Sequence, residues 1–252
     1  MYNRYGRLAS WVYHLDKPIG HSFGDIEFYQ ERLKGLRGSI LEPAVGNGRV
    51  YIPLLQAGFD VYGFDASEEM LALCRDECLK GSIQPKISQQ KFESFSYNNL
   101  FEALIIPAGS FQLITDRSIA IRTLQRFHQY LTPGGRLIMD LDPVGSILSA
   151  PSTSVRSWTT PDEDLLVLSE QRLSMCYIAQ TVSSHLRYEH WREGALIRNE
   201  LDVFTLRWWG VEEFVMTLQA AGFDEVQVSG NYQYGKAPEE NDSIITFEAL
   251  RD

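Results

Sequence analysis

The chain has little cysteine. Its three thiols, Cys74, Cys78 and Cys176, suggest no disulfide framework. Cys74 and Cys78 stand four apart, a spacing that can hold a metal on a helix face, but no histidine or third cysteine is near them in sequence. No metal is therefore expected. No uncharged apolar run approaches the roughly 18 residues of a membrane span, so no membrane association is expected. The opening residues, MYNRYGRLASWVYHL, lack the apolar core of a signal peptide, and the cytoplasm is the default. Basic clusters are missing as well: 23 Lys and Arg face 33 Asp and Glu, a formal net charge of −10. A protein that grips phosphates needs a basic patch to displace counterions, so nucleic acid is not an expected partner.

What is present is a chain of 252 residues, 44% of them hydrophobic. That suffices for one substantial core with an appended subdomain. The rest is organised around Ser39 to Arg49, SILEPAVGNGR, and GFDAS from Gly63 to Ser67. Ser39 to Leu41 reads as a buried strand, Glu42 and Pro43 end it, and Gly46-Asn47-Gly48 form a tight loop. From Arg49 the apolar positions Val50, Ile52, Leu54 and Leu55 take roughly helical spacing, and Gly58 closes the helix. A second buried run, Phe59 to Phe64, stops at Asp65. This is a βαβ unit able to hold a nucleoside. Its glycines let the backbone approach a ligand. Asp65, 19 residues after Gly46, sits where an acid accepts both ribose hydroxyls.

Two residues say which nucleoside. A dinucleotide loop needs a small residue three positions after its second glycine, and here that place holds Tyr51. Glu42, beside the loop, would repel a pyrophosphate and welcome a cation. S-adenosylmethionine carries a sulfonium and an ammonium and no phosphate, which favours it over NAD.

With these residues in place the sequence resembles the class I S-adenosylmethionine-dependent methyltransferases. Their acid and G-x-G-x-G loop correspond to Glu42-Pro43-Ala44-Val45-Gly46-Asn47-Gly48, with Ala44 in place of the first glycine. Their strand-two acid corresponds to Asp65, and their L-x-P-G-G turn to Leu131-Thr132-Pro133-Gly134-Gly135. The resemblance implies a Rossmann-like, doubly wound α/β fold with a seven-stranded sheet of order 3-2-1-4-5-7-6, the last strand antiparallel. It implies cofactor contacts from Glu42, Ala44, Gly46, Gly48, Asp65, Ala66, Met70, Gln90 and Phe92. At the end of strand three the family's acid for the adenine amine is replaced by Gln90-Lys91; Gln90 can still accept from that amine, and Lys91 cannot.

Around this centre, residues 1–37 read as a helical cap rich in aromatics: Tyr2, Tyr5, Trp11, Tyr13, His14, Phe23, Phe28 and Tyr29. Asp25 to Leu36 is its helix, and Tyr13 is the ring expected at the active site, as similar caps imply. Glu68 to Leu79 reads as a helix capped by Ser67, Lys86 to Phe92 as strand three, and Phe111 to Thr115 as strand four. Asp116 and Arg117 then fall at the topological switch, where Asp116 can orient an amine and Arg117 can pair with an acidic group, or the two can satisfy each other. Arg136 to Asp142 is strand five. Residues 146–206 break the alternation: a Ser/Thr/Pro-rich loop to Thr160, then strands Leu165 to Leu173, Tyr177 to Trp191 and Leu196 to Trp208. They form an expected antiparallel β insertion over the acceptor site, with 38–145 and 207–252 as the cofactor domain. His185 and His190 read as structural.

The expected function is methyl transfer to a small-molecule acceptor, nitrogen preferred over oxygen, by a monomer or homodimer. A non-catalytic S-adenosylmethionine-binding protein and an NAD(P)-dependent reductase are the alternatives.

Overall fold

The computed structural model describes residues 5–252, so Tyr2 lies outside it. The chain begins with α1 (Arg7–Asp16) and α2 (Asp25–Leu33), then runs β1 (Ile40–Pro43), α3 (Tyr51–Gln56), β2 (Val61–Asp65), α4 (Glu68–Lys80), β3 (Lys86–Gln89) and β4 (Phe101–Ile106). It continues through α5 (Arg117–Tyr130), β5 (Leu131–Leu141) and α6 (Val144–Ser149). The strands β6 (Thr153–Thr159), β7 (Leu165–Cys176), β8 (Thr181–Arg192) and β9 (Ala195–Arg207) follow. Last come α7 (Val211–Ala220), β10 (Asp224–Gly230) and β11 (Ile245–Leu250).

Seven strands form one sheet in the order β3-β2-β1-β4-β5-β11-β10, with β11 antiparallel to both neighbours. This is the expected order. The central strands carry apolar runs, at residues 40–41, 103–106 and 137–139, because both their faces are covered there. Alternate side chains feed different cores: Ile40, Ala103, Ile105 and Ile138 join α2, α3 and α4, whereas Leu41, Leu104, Ile106, Leu137 and Met139 join α5 and α7. The L-x-P-G-G turn lies inside β5, where pairing slips from Phe101↔Leu131 to Ala103↔Arg136 and Gly134 takes φ +73°.

Two expectations fail. Strand four is Phe101–Ile106 and not Phe111–Thr115. Both are short apolar runs, but Pro107 ends the first, and Ser110–Leu113 coils as a 3-10 turn after Gly109 at φ +69°. The stretch from Ser146 to Thr160 is also no plain loop, since it holds the end of α6 and all of β6. The strand β6 is an edge strand paired to β7 from Thr153↔Gln171 to Thr159↔Leu165, and its Ser and Thr suit an exposed edge.

The strands β6-β7-β8-β9 form a separate antiparallel sheet, inserted after β5 as expected. The helix α1 packs on its inner face, where Leu8, Ala9 and Val12 meet Leu166, Leu168, Leu186 and Tyr188. Among the described residues no helix is long and apolar enough to cross a membrane.

Candidate active site

The glycine loop follows directly from β1. Ala44, Gly46 and Gly48 take φ of +56°, +58° and +90°, the left-handed region that favours glycine. At Gly48 a side chain has no room: a Cβ would stand 2.7 Å from the Cys74 Sγ and 3.1 Å from the Ile52 Cδ1. The missing side chain lets α4 rest on the loop. Asp65, at the tip of β2, accepts from the Gly46 N–H at 3.0 Å and from the Ser67 N–H at 2.8 Å. Burial pushes its carboxyl up against those bonds. The Ser67 hydroxyl accepts from the Met70 N–H at 3.2 Å and starts α4. The Met70 methyl group comes within 3.3 Å of the place a Cβ would take on Gly46. Gly46, Asp65 and Met70 therefore converge.

Glu42 points into the interior, 3% exposed, and its Oε2 has no hydrogen-bond partner. Burial drives its carboxyl well above the usual carboxylate range, with Arg49 pulling the other way. An unmet buried acceptor costs about 1–3 kcal/mol. Glu42 lines a depression of about 270 Å³ with Tyr13, Ala44, Asn47, Arg49, Ala108 and Ser110. The Arg49 guanidinium donates to both Asp25 carboxylate oxygens and to the His21 carbonyl, at 2.8 Å for the latter, while its Nε stays unpartnered. One depression thus presents an unpaired acceptor from an acid and an unpaired donor from a base.

The cap is tied to this loop. The Asn47 side-chain amide donates to the Lys17 carbonyl at 3.0 Å and meets the His14 Nδ1 at 3.2 Å. Tyr13 is hydrogen-bonded to Arg49, which opposes the burial that raises its hydroxyl. The spacing Gly-Asn-Gly-Arg gave no reason to single out Arg49 beyond the helix start it marks. A lone cation next to a loop already flagged by Glu42 was the signal available.

The other expected residues divide. The Ala66 carbonyl accepts from the Gln89 side chain at 3.1 Å. The Gln90 Oε1 accepts from the Ser96 N–H at 2.7 Å, and its Nε2 donates to the Ser88 hydroxyl at 2.9 Å, so that amide is engaged within its own turn. Phe92 packs edge-on against Phe64 and Phe127, with centroids 6.0 Å and 6.1 Å away. Asp116 caps α5 by accepting from the Ile119 N–H at 2.9 Å and the Ser118 hydroxyl at 2.6 Å. Asp116 and Arg117 are both exposed and face Arg207, and neither lines the depression. Because β4 ends at Ile106 and not at Thr115, its carboxyl end is followed by Pro107-Ala108, and this is what reaches the site. Ala108, at φ +56°, donates its N–H to the Asp140 Oδ2 at 3.1 Å. Asp140 is fully buried and also takes the hydroxyls of Tyr232 at 2.9 Å and Thr246 at 3.1 Å. Burial outweighs these bonds and pushes its carboxyl up to about 7.

A second depression, of about 610 Å³, opens between α6 and the inserted sheet. Asp142, at the end of β5, lines it. The Asp142 Oδ2 is also only 3.1 Å from where a Gly109 Cβ would stand, and Ala108 and Ser110 on either side of Gly109 line the first depression. Asp142 therefore marks the junction of the two. Among the described residues no cluster of His, Cys, Asp or Glu is arranged to hold a metal ion.

Comparisons with known proteins agree with this geometry. Residues 40–135 match a family model described as a methyltransferase domain. A glycine/sarcosine N-methyltransferase of Halorhodospira halochloris is 32% identical over 151 residues, 59% of this chain and 56% of that protein. A solved S-adenosylmethionine-dependent methyltransferase from Clostridium acetobutylicum shares the fold, with a TM-score of 0.78 at 17% identity over 98% of both chains. So does the sugar N-methyltransferase KedS8 from a Streptoalloteichus species, with a TM-score of 0.74 at 18% identity over 96% of this chain and 91% of that one. The cofactor of this class, S-adenosylmethionine, fits the residues present: its ammonium suits the unpartnered Glu42 oxygen and its carboxylate the unpartnered Arg49 Nε. Residues 40–135 thus carry a methyltransferase domain, and the chain has the fold of solved S-adenosylmethionine-dependent methyltransferases.

Proposed function

We propose that the protein methylates a nitrogen of a small-molecule acceptor. The observation that carries this reading is the buried Glu42 oxygen without a partner, in a depression that Tyr13 overhangs from the cap and Ala108 borders from β4. S-adenosylmethionine supplies a methyl group activated by its sulfonium. The chain's own task is to hold that group in line with the acceptor and keep water out. Glu42 and Arg49 hold the amino-acid end and Asp65 the ribose. Ala66, Met70 and Gln90 flank the place of the adenine. Tyr13, at the closed end, faces the methyl group. The cap, residues 1–37, and the insertion, 146–206, cover the acceptor, while 38–145 and 207–252 bind the cofactor. Nitrogen is favoured over oxygen because an alcohol must lose its proton as transfer occurs and calls for a stronger base than a carboxylate, and no histidine lines either depression among the described residues. Similarity to a sugar N-methyltransferase and a glycine/sarcosine N-methyltransferase supports the same choice.

The test is a panel of small amines, phenols and carboxylic acids with S-adenosylmethionine, the methylated atom being identified by NMR. Methyl on nitrogen is expected, and transfer only to oxygen overturns the reading. Transfer should survive EDTA; activity lost on chelation and restored by Mg²⁺ would move the protein to metal-dependent O-methylation. Asp65→Ala should weaken cofactor binding in calorimetry by about 1.5–3 kcal/mol, the range for hydrogen bonds to charged groups. Unchanged affinity would remove Asp65 from the site.

A further inference from the structure

The depression between α6 and the inserted sheet has walls of two kinds. Ile147, Val182, Phe204 and Leu206 are apolar, whereas Asp142 and Glu170 are carboxylates. Arg172 lines it too, but its guanidinium is directed at main chain: it donates to the carbonyls of Ile147 at 3.1 Å, Leu148 at 3.4 Å and Ala150 at 2.7 Å. Those bonds fasten the end of α6 to β7. At the junction, the Lys17 Nζ lies 5.2 Å from the Tyr13 ring centre and faces both Asp142 and Asp16. Arg172 is thus held by main chain and Lys17 by Asp142 and Asp16, while two acids and two serines, Ser146 and Ser184, interrupt the apolar wall.

We propose that this depression takes the methyl acceptor, and that the acceptor is an alkylammonium on an apolar body without a carboxylate. The inference rests on the nitrogen reading above and adds the substrate class. Asp142 and Glu170 balance the ammonium charge, and Ile147, Val182, Phe204 and Leu206 take the apolar body. An amino acid would set its own carboxylate against those two acids, and like charges in a partly dry site repel. This chain would then differ in acceptor from the glycine/sarcosine enzyme it resembles.

The step balances. The ammonium gives one proton to Asp142, which lies against Gly109 next to the cofactor depression. The freed nitrogen pair bonds to the methyl carbon, the carbon–sulfur bond breaks, and its electron pair stays on sulfur as a thioether. The product nitrogen takes up the positive charge that the sulfonium loses, and Asp142 passes its proton to water.

Cyclohexylamine, cyclohexanol and glycine are the probes, tested first for binding to the protein loaded with S-adenosylhomocysteine and then for methylation. Cyclohexylamine should bind at least about tenfold tighter than the other two and be methylated on nitrogen. Glu170→Gln should weaken its binding about tenfold. Leu206→Trp, which fills the depression, should abolish it, with S-adenosylhomocysteine affinity reporting that both variants remain folded. Glycine bound or methylated as well as cyclohexylamine overturns the substrate class, as does the absence of measurable amine binding. Amine methylation indifferent to both variants overturns the site while the nitrogen reading stands. Methyl on cyclohexanol oxygen alone overturns the nitrogen reading itself.

Discussion

The cofactor half and the proposed acceptor half of this site are built by different means. Around the cofactor, the shaping is done by backbone: Ala44, Gly46 and Gly48 at positive φ, and Asp65 accepting loop N–H groups, all within residues 42–67. Around the acceptor, the shaping is done by side chains brought from far apart. Asp142 comes from the end of β5, Ile147 from α6, Glu170 and Arg172 from β7, and Phe204 and Leu206 from β9. Backbone geometry tolerates few residues, whereas a side-chain wall can be rebuilt residue by residue. The first half should therefore break on small changes that the second half absorbs.

Asp140 stands between the halves and should give the largest effect. Its carboxyl is pushed up to about 7 in the folded chain and lies near the usual value when unfolded. Between about pH 4 and pH 7 the folded state keeps the proton that the unfolded chain has lost. This contribution to stability is therefore present at low pH, falls as pH rises through that window, and is constant above it. It amounts to at most about 4 kcal/mol. Asp140→Asn removes it, so the difference between wild-type and variant stability should slope across pH 4–7 in denaturant titrations. A flat difference would show that Asp140 ionises as it does in water.

The comparison is sharpest at two glycines. Gly48→Ala places a Cβ against the Cys74 Sγ at φ +90°, and should cost about 3 kcal/mol from strain and overpacking together. Gly145→Ala, in α6 at the acceptor side, meets open space and no strained φ. It should be neutral or slightly stabilising, since alanine favours a helix over glycine by about 0.5–1 kcal/mol. Equal melting shifts for the two variants would erase the distinction between the halves.

Glu42→Gln tests the buried acid directly. The ligand's ammonium favours the ionised form of a carboxyl that burial pushes well above the usual carboxylate range. Binding should therefore release a proton, and affinity should rise with pH. In the glutamine variant the release should vanish and affinity should fall by about 2 kcal/mol. Calorimetry in two buffers of different ionisation enthalpy reads both. Proton release that persists in the variant would assign it to another group.

How much the sequence told follows the same division. The βαβ unit was legible because its signals are local: Gly46 and Gly48 where φ is positive, Asp65 where the second strand stops, Tyr51 where a dinucleotide loop needs a small residue. The sheet order followed from the family resemblance. Strand four was misplaced because Phe101–Ile106 and Phe111–Thr115 are both short apolar runs opening on Phe, and the pairing with β1 and β5 decides between them. That one shift carried Asp116 and Arg117 toward a site the structure does not bring them to, and hid Ala108 and Ser110. Arg49, Asp140, Asp142 and Glu170 act through partners distant in sequence, which no periodicity encodes.

The smallest effect separates the two alanines held at φ +56°, Ala44 in the cofactor loop and Ala108 at the end of β4. A non-glycine residue in the left-handed region costs roughly 1–2 kcal/mol. Glycine removes that strain but adds about 0.4–1 kcal/mol of chain entropy to the unfolded state. The net gain for Ala44→Gly is about 0.5–1 kcal/mol, and for Ala108→Gly nearly the same. Their cofactor affinities should diverge. Ala44 borders the depression proposed to take the amino-acid end of the ligand, so glycine there restores the family's loop and should leave binding equal or slightly tighter. Ala108 is held in place by its N–H on Asp140, and a freer backbone loosens that border of the depression. Ala108→Gly should therefore stabilise the fold while weakening S-adenosylhomocysteine binding, by up to about twofold. Thermal melts with and without the ligand read both quantities. If Ala44→Gly destabilises the empty protein, the alanine is not strained, and its departure from the family's glycine carries no energetic cost.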